Sequence, residues 1–344
     1  MRPILAAASL TLLSPPAQEI AFAPAEDAAL EKRFTVSIAQ ELDELSILAG
    51  GTDVSGMIGD FDVTLTVDTA LTVLDTYGAS SGGSPESLTR TYDEIGLEVS
   101  TDYVSEMGSG TESQTVESDL EGETVVFTRR DGGDGYDVAF EKDEGDDRLL
   151  EGLAEDLDLR AFLPPGEVEE AEEWTIRPNA LKSVLAPGGA LGMGAAEDGA
   201  DWAEEMSFLN GIDFDTLSES LLEGDVTCTF TGTRDEEAGA LAVIEILVEI
   251  DSVTDLRDLI TEMLEELADE SPADIRLQTA DLELSMEGTG LLLWNLDAGR
   301  FQHFEASIDT ELVFHFVAEA DDDAVDATIG LSGALELGAD VVDR

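Results

Sequence analysis

Between residues 304 and 316 the chain reads FEASIDTELVFHF, and its apolar residues, Val313 apart, fall on alternate positions. Phe304, Ala306, Ile308, Leu312, Phe314 and Phe316 share one parity, with Glu305, Ser307, Asp309, Glu311 and His315 on the other. Alternation with period two is the signature of a strand with one buried face. At roughly 3.3 Å per residue this strand would run about 40 Å, so the pattern predicts a curved or bulged member of an antiparallel sheet. Similar stretches begin at Arg33 (RFTVSIAQELDELSIL), Phe61 (FDVTLTVDTALTVLDTYG) and Leu88 (LTRTYDEIGLEVSTDYV). The first two alternate Thr and Val with acids, as half-exposed antiparallel strands do. Gly50-Gly51 and the Ser-Gly run 80–84 separate them. ETVVFTRR and YDVAFE, joined by the glycine-rich 131–135, read as a hairpin. Further on, DVTCTFTGTRDEE and ALAVIEILVEI precede strands expected over 274–286, 290–296, 301–318 and 324–337. In the first of these four, apolar parity switches from Ile275 and Leu277 to Leu282, Leu284 and Met286, which predicts a bulge near Ala280.

Helical spacing is rarer. Leu149, Leu150, Leu153 and Leu157 recur at helical intervals behind Asp146 as N-cap, and Pro164-Pro165 ends that element. Leu181, Val184 and Leu185 suggest one short helix. Residues 253–269 carry the longest apolar stripe, from Val253 through Leu256, Leu259, Ile260, Met263 and Leu264 to Leu267. Ser252 and Asp255 stand there as a capping pair, and Pro272 follows. The small-residue stretch 187–200 reads as a surface loop or lid, and 202–224 as one or two short helices stopped by Gly224. The expected fold class is therefore α+β. Two domains, 26–163 and 164–344, are each dominated by a long, curved antiparallel sheet with about one packed helix. Their similar grammar suggests a loose structural duplication.

Length, charge and cysteine narrow the class. The chain has 344 residues, 43% of them hydrophobic, enough for a substantial core. Its 79 acids against 16 bases give a formal charge of −63, which repels nucleic acid and anionic membrane surfaces. The excess suits solubility in a saline medium, where screening relieves self-repulsion, or a surface for a basic partner. The single cysteine, Cys228, lies in an alternating run and reads as a small buried apolar residue, with no intrachain disulfide. Arg2, the apolar run 4–13 and the proline-broken, small-residue stretch after it fit a signal peptide over 1–25. Cleavage after Ala25, with Ala23 at the third position back, and cleavage after Ala17, with Pro15 there, both stay open. The apolar run is too short for a stable membrane anchor, and no second long one follows. The mature chain is thus expected to be secreted or periplasmic, without a transmembrane anchor.

Few residues suggest chemistry. His303 and His315 stand about 40 Å apart on one strand, so they cannot pair, and a zinc site of His/Cys type is not expected. Neither a Gly-x-Ser-x-Gly elbow nor a Gly-Lys-Ser/Thr phosphate loop occurs. With 79 acids, two carboxylates at glycosidase spacing carry no information. The run GGDGYDVAF, 132–140, nearly matches the calcium-binding nonapeptide of parallel β-rolls. Ala139 stands where a large aliphatic belongs and no second copy follows, so no specific site is expected at Asp131, Asp134 and Asp137. The sequence nominates no catalytic, cofactor-binding or metal residue and implies no cofactor.

The segments LRAFLPPGEVEEAEEW, 159–174, and MEGTGLLLWNLDAGRF, 286–301, together resemble secreted bacterial proteins of unknown function. Those proteins carry a Leu-Pro turn before Val and Trp, then a Gly-x-Gly strand leading into Asp-x-x-Gly-Arg. The matching residues here are Gly288, Gly290, Asp297, Gly299 and Arg300, while Glu172 departs from the glycine of the group's turn. The resemblance implies structure and no activity. The expected role is a non-enzymatic structural or interaction protein of the bacterial envelope or exterior, with a basic protein as one class of partner. The alternative is a carrier of a lipid or other apolar ligand in a cup formed by a curved sheet and helix. A continuous apolar cavity of several hundred Å³ would favour the carrier.

Overall fold

A computed structural model describes residues 17–57, 61–105, 108–132, 135–142, 145–194, 222–237, 239–261, 275–320 and 323–344. The strands are β1 (Ala29–Ala49), β2 (Thr52–Asp53), β3 (Phe61–Tyr77), β4 (Ser80–Ser81), β5 (Ser84–Pro85), β6 (Ser87–Ser105), β7 (Gly108–Ser118) and β8 (Thr124–Arg129). They continue with β9 (Tyr136–Phe140), β10 (Glu173–Ile176), β11 (Met193–Gly194), β12 (Gly224–Glu236), β13 (Gly239–Asp255), β14 (Ile275–Asn295), β15 (Arg300–Ala320) and β16 (Asp323–Asp343). Fourteen of them form one antiparallel sheet whose main path runs β10-β12-β13-β14-β15-β16-β1-β3-β6-β7-β11. The hairpin expected around 131–135 is β8–β9, attached to β6.

This corrects the expected two-domain α+β fold. β1, the first long strand, lies between β3 and the last strand, β16, pairing with β16 from Leu30↔Asp343 to Ala49↔Val325. The strands before and after Pro164 therefore join in one continuous sheet through the β1–β16 pairing. The strands expected over 274–286 and 290–296 are one strand, β14, because Gly288 and Gly290 keep the ladder continuous where a side chain would not fit. A Cβ on Gly288 would lie 2.4 Å from the Ser307 carbonyl oxygen. The parity switch in β14 is met by a register shift between Leu277 and Thr279, close to the bulge expected near Ala280. β14, β15 and β16 each have 21 residues, a length of about 70 Å.

The helical expectations mostly fail, for identifiable reasons. Val253 to Asp255 belong to β13, where Ile250, Ser252 and Thr254 continue the inward parity. Only 257–261 of the expected 253–269 helix are described as helical, and 262–269 lie outside the described residues. Behind Asp146, which caps as expected, helix survives as the single turn Asp147–Leu150. Gly152 at φ 74° and Leu159 at φ 57° turn the chain, so Leu157 and Leu159 reach the core from an irregular segment. The short helix near Leu181 is a turn, Pro178–Leu181, running into α1, Lys182–Leu185. Pro187, Gly188 and Leu191 are buried, which corrects the surface-loop reading for that part, while 195–200 and 202–221 lie outside the described residues, as do residues 1–16 of the expected signal peptide. Gly224 opens β12 instead of ending a helix.

One face of the sheet is the core face. A single registered row crosses eight strands on it, Phe230, Ile244, Leu292, Phe304, Ala339, Phe34, Leu71 and Ile95, and all eight are buried. Two irregular segments cover it. Ile20 and Phe22 come from the N-terminal stretch, and Leu157, Phe162, Leu181, Val184 and Leu191 come from residues between β9 and β12. Phe162 packs on Phe304 at 5.7 Å and Phe22 meets Tyr77 edge-on at 5.8 Å. Each such side chain contributes about 1.5–3 kcal/mol by leaving water. Cys228 lies in this core as expected, and burial pushes its thiol up to about 12. Among the described residues no helix is long and apolar enough to cross a membrane.

Candidate functional site

The opposite parity of the same strands builds a different surface. A hollow of about 1190 Å³ is bounded by residues of nine strands, from β12 round to β7, so the sheet must bend for all nine to border one space. Two registered tiers bound it. The first runs Thr229, Glu245, Leu291, Glu305, Gly338, Thr35, Ala70, Gly96, and the second Leu247, Thr289, Ser307, Glu336, Ser37, Asp68, Glu98, Thr115. Small residues at Thr35, Ala70, Gly96 and Gly338 leave the space open. Five carboxylates face into it, Asp68, Glu98, Glu245, Glu305 and Glu336, and among the described residues no lysine or arginine borders it.

Further along the same face, a second hollow of about 610 Å³ is bounded by β1, β14, β15 and β16. It adds Glu41, Glu287, Asp309 and Glu311, again with no lysine or arginine among the described residues. From Thr35 to Glu41 along β1 the two hollows extend about 20 Å. Glu305, Asp309 and Glu336 are exposed, and Ser307 donates to Glu336 at 2.6 Å. The alternating acids of the strands, read singly in the sequence as a solvated face, are brought by the register into one track.

A second concentration of charge is sealed in the core. Lys32 Nζ lies 2.8 Å from Asp75 Oδ2 and 2.7 Å from Asp158 Oδ1. Arg90 grips Asp75 with Nε at 2.7 Å and Nη2 at 2.9 Å, and also donates to the carbonyls of Ala154 and Glu155. The Tyr77 hydroxyl donates to Asp158 at 2.7 Å. Lys32, Asp75, Arg90 and Asp158 are fully buried. Burial pushes the Asp75 carboxyl up, but Arg90 and Lys32 together outweigh it and hold it below its ordinary value. Burial raises Asp158, opposed by Lys32. Burial also lifts Glu155 to about 7 although Arg160 contacts it. Perturbed groups often mark active sites, but none of these residues borders either hollow. The cluster ties residues 154–160 to β1, β3 and β6.

The two histidines fall where the sequence puts them, on β15 and apart from each other. His303 Nδ1 is 2.8 Å from Asp340 and His315 Nε2 is 3.1 Å from Asp326. His303 borders the larger hollow. Asp137 pairs with Arg130 at 2.7 Å; Asp134 lies outside the described residues. The two segments that carry the resemblance hold structural positions. Trp174 Nε1 donates to the Phe162 carbonyl, Gly299 (φ 62°) abuts the Ala23 backbone, and Arg300 pairs with Asp343. The sequence reading missed Lys32 and Arg90, although both stand on an apolar parity, Leu30-x-Lys32-x-Phe34 and Leu88-x-Arg90-x-Tyr92.

No family model matches the chain, and no similar curated protein is found. Among solved structures, an outer membrane channel from Pseudomonas putida F1 aligns over 93% of this chain and 97% of that one, at 11% identity and a TM-score of 0.19. At that TM-score the likeness carries no argument about fold or role.

Proposed function

We propose that the chain is an exported, non-enzymatic binding protein of the envelope or exterior, whose acidic face holds a cationic ligand such as a lysine-rich peptide segment. The observation that carries this reading is the pair of adjoining hollows. Among the described residues, nine carboxylates border them and no lysine or arginine does. A cation entering that track gains attraction from several carboxylates at once, an attraction that salt screens. Arg2 and the apolar run 4–13 support export.

An apolar-ligand carrier is the competing reading, favoured by Leu247, 43% exposed, and Leu291 at the edge of the same space. Against it, the large apolar face is filled by the protein's own segments, and five carboxylates stand among the apolar residues that line the open space. Titration calorimetry of the full chain with a lysine-rich peptide and separately with oleate distinguishes the two. The cationic reading expects peptide binding that weakens steeply with salt and at least tenfold on combining Glu98→Gln, Glu305→Gln and Glu336→Gln. Oleate binding without peptide binding would establish the carrier instead.

A further inference from the structure

We infer that residues 18–24 are a permanent strap of the folded protein, so that the processed N-terminus lies at or before Gln18 and not at Glu26; this rests on the export reading only for the existence of a leader. The sequence offers two processing points, after Ala17 and after Ala25, and the second carries the better small-residue pair, Ala23 and Ala25. The fold decides otherwise. Ile20 and Phe22 are 3% and 5% exposed and belong to the main core. The strap is also hydrogen-bonded to the fold at Gln18, Ala21 and Ala23. Gln18 forms a two-way backbone bridge with Val168 at 2.8 and 2.9 Å, the Ala21 carbonyl accepts from Trp294 Nε1 at 3.2 Å, and Ala23 N–H donates to the Gly299 carbonyl at 2.8 Å. Arg160 stacks over the Phe22 ring at 5.2 Å.

A leader peptidase acts during export, before the chain folds. Hydrolysis of the bond after Ala25, water giving Ala25 a carboxylate and Glu26 an amine, would discard the strap before it could dock. The core would then lose two large apolar side chains, and Trp294, fully buried, would lose the acceptor of its indole N–H. Hydrolysis after Ala17, which is exposed, or at any bond before it leaves every one of these contacts in place.

The full chain, expressed in an exporting bacterial host, is recovered from the exported fraction and its N-terminus read by intact mass and sequencing. The expected product begins at or before Gln18. A folded, cooperatively melting product that begins at Pro24 to Asp27 would overturn the inference. Recovery of Met1 would refute the export reading and leave the strap to the second measurement. In that measurement the full chain carrying Phe22→Ala is expected to melt roughly 5 °C or more below the parent. An unchanged melting temperature would show that the strap does not dock, and would also overturn the inference.

Discussion

Lys32 is one of three lysines in a chain with 79 acids, and it sits where the alternation calls for an apolar residue. Its charge is tolerable there because Asp75 and Asp158 lie within hydrogen-bonding distance and Arg90 completes the set. Burying ions without such partners costs several kcal/mol each. The same place makes a pH-dependent contribution through Glu155. Its folded-state value of about 7 lies above the ordinary 4.5, so between those values the folded state holds a proton that the unfolded state has released. Its contribution is therefore largest below about pH 4.5 and fades as pH rises through 7. Urea unfolding at pH 5, 6, 7 and 8 should show the parent losing up to about 3 kcal/mol from this group. Glu155→Gln should lack that portion of the slope, and the difference between the two proteins separates Glu155 from the surface acids. An identical slope would mean that Glu155 is ionised in the fold. Asp75 works in the opposite sense, contributing above its ordinary value and losing that contribution on acidification below it. The ion cluster was half legible in sequence, since a charge on an apolar parity points inward. Which acids meet it was not, because Asp158 arrives from an irregular segment that alternation does not describe.

At the scale of elements, period two was a dependable guide and period 3.6 was not. The strands of the C-terminal half run long because the ladder tolerates glycine where two backbones close on a third. Gly333 in β16 lies between β15 and β1, with Gln40 Nε2 bonded to Thr310 Oγ1 at 2.6 Å from the two flanking strands. A Cβ there would fall 1.8 Å from the Ala39 carbonyl oxygen. Gly333→Ala is expected to destabilise by about 3 kcal/mol, whereas Gly56→Ala, with nothing within 4 Å, should stay within about 0.5 kcal/mol. Equal midpoints in urea would count against the close approach at Gly333. The leucines of 149–157 repeat at helical intervals, yet Gly152 at φ 74° and the pull of Lys32 on Asp158 win over that periodicity. Spacing alone could not reveal this, because the competing contacts come from strands far away in sequence. The bulge near Ala280 was legible for the converse reason, since a parity switch is written into the strand itself. For the candidate site the sequence supplied the acids but not their convergence, which depends on register across nine strands.

At the scale of the molecule, charge dominates solution behaviour. A formal charge of −63 is drawn together on folding, and the repulsion so created is relieved by salt. Thermal unfolding at pH 7.5 should therefore shift upward by several degrees between low salt and about 1 M sodium chloride, where the Debye length is near 3 Å. A melting temperature indifferent to salt would mean that the acids are neutralised by bound ions or partners. The pairing of β1 with β16 has a different kind of consequence. Ser37 finds its partner in Glu336, nearly a chain length away, so contact order is high and assembly slow. Until the 21-residue β16 docks between them, β1 and β15 each present a bare edge to their surroundings. A chain cut short by premature termination or proteolysis cannot hide those edges. The presence of β16 thus distinguishes copies with a closed ladder from copies with open edges, and the latter are the ones open to strand-adding chaperones, proteases and aggregation.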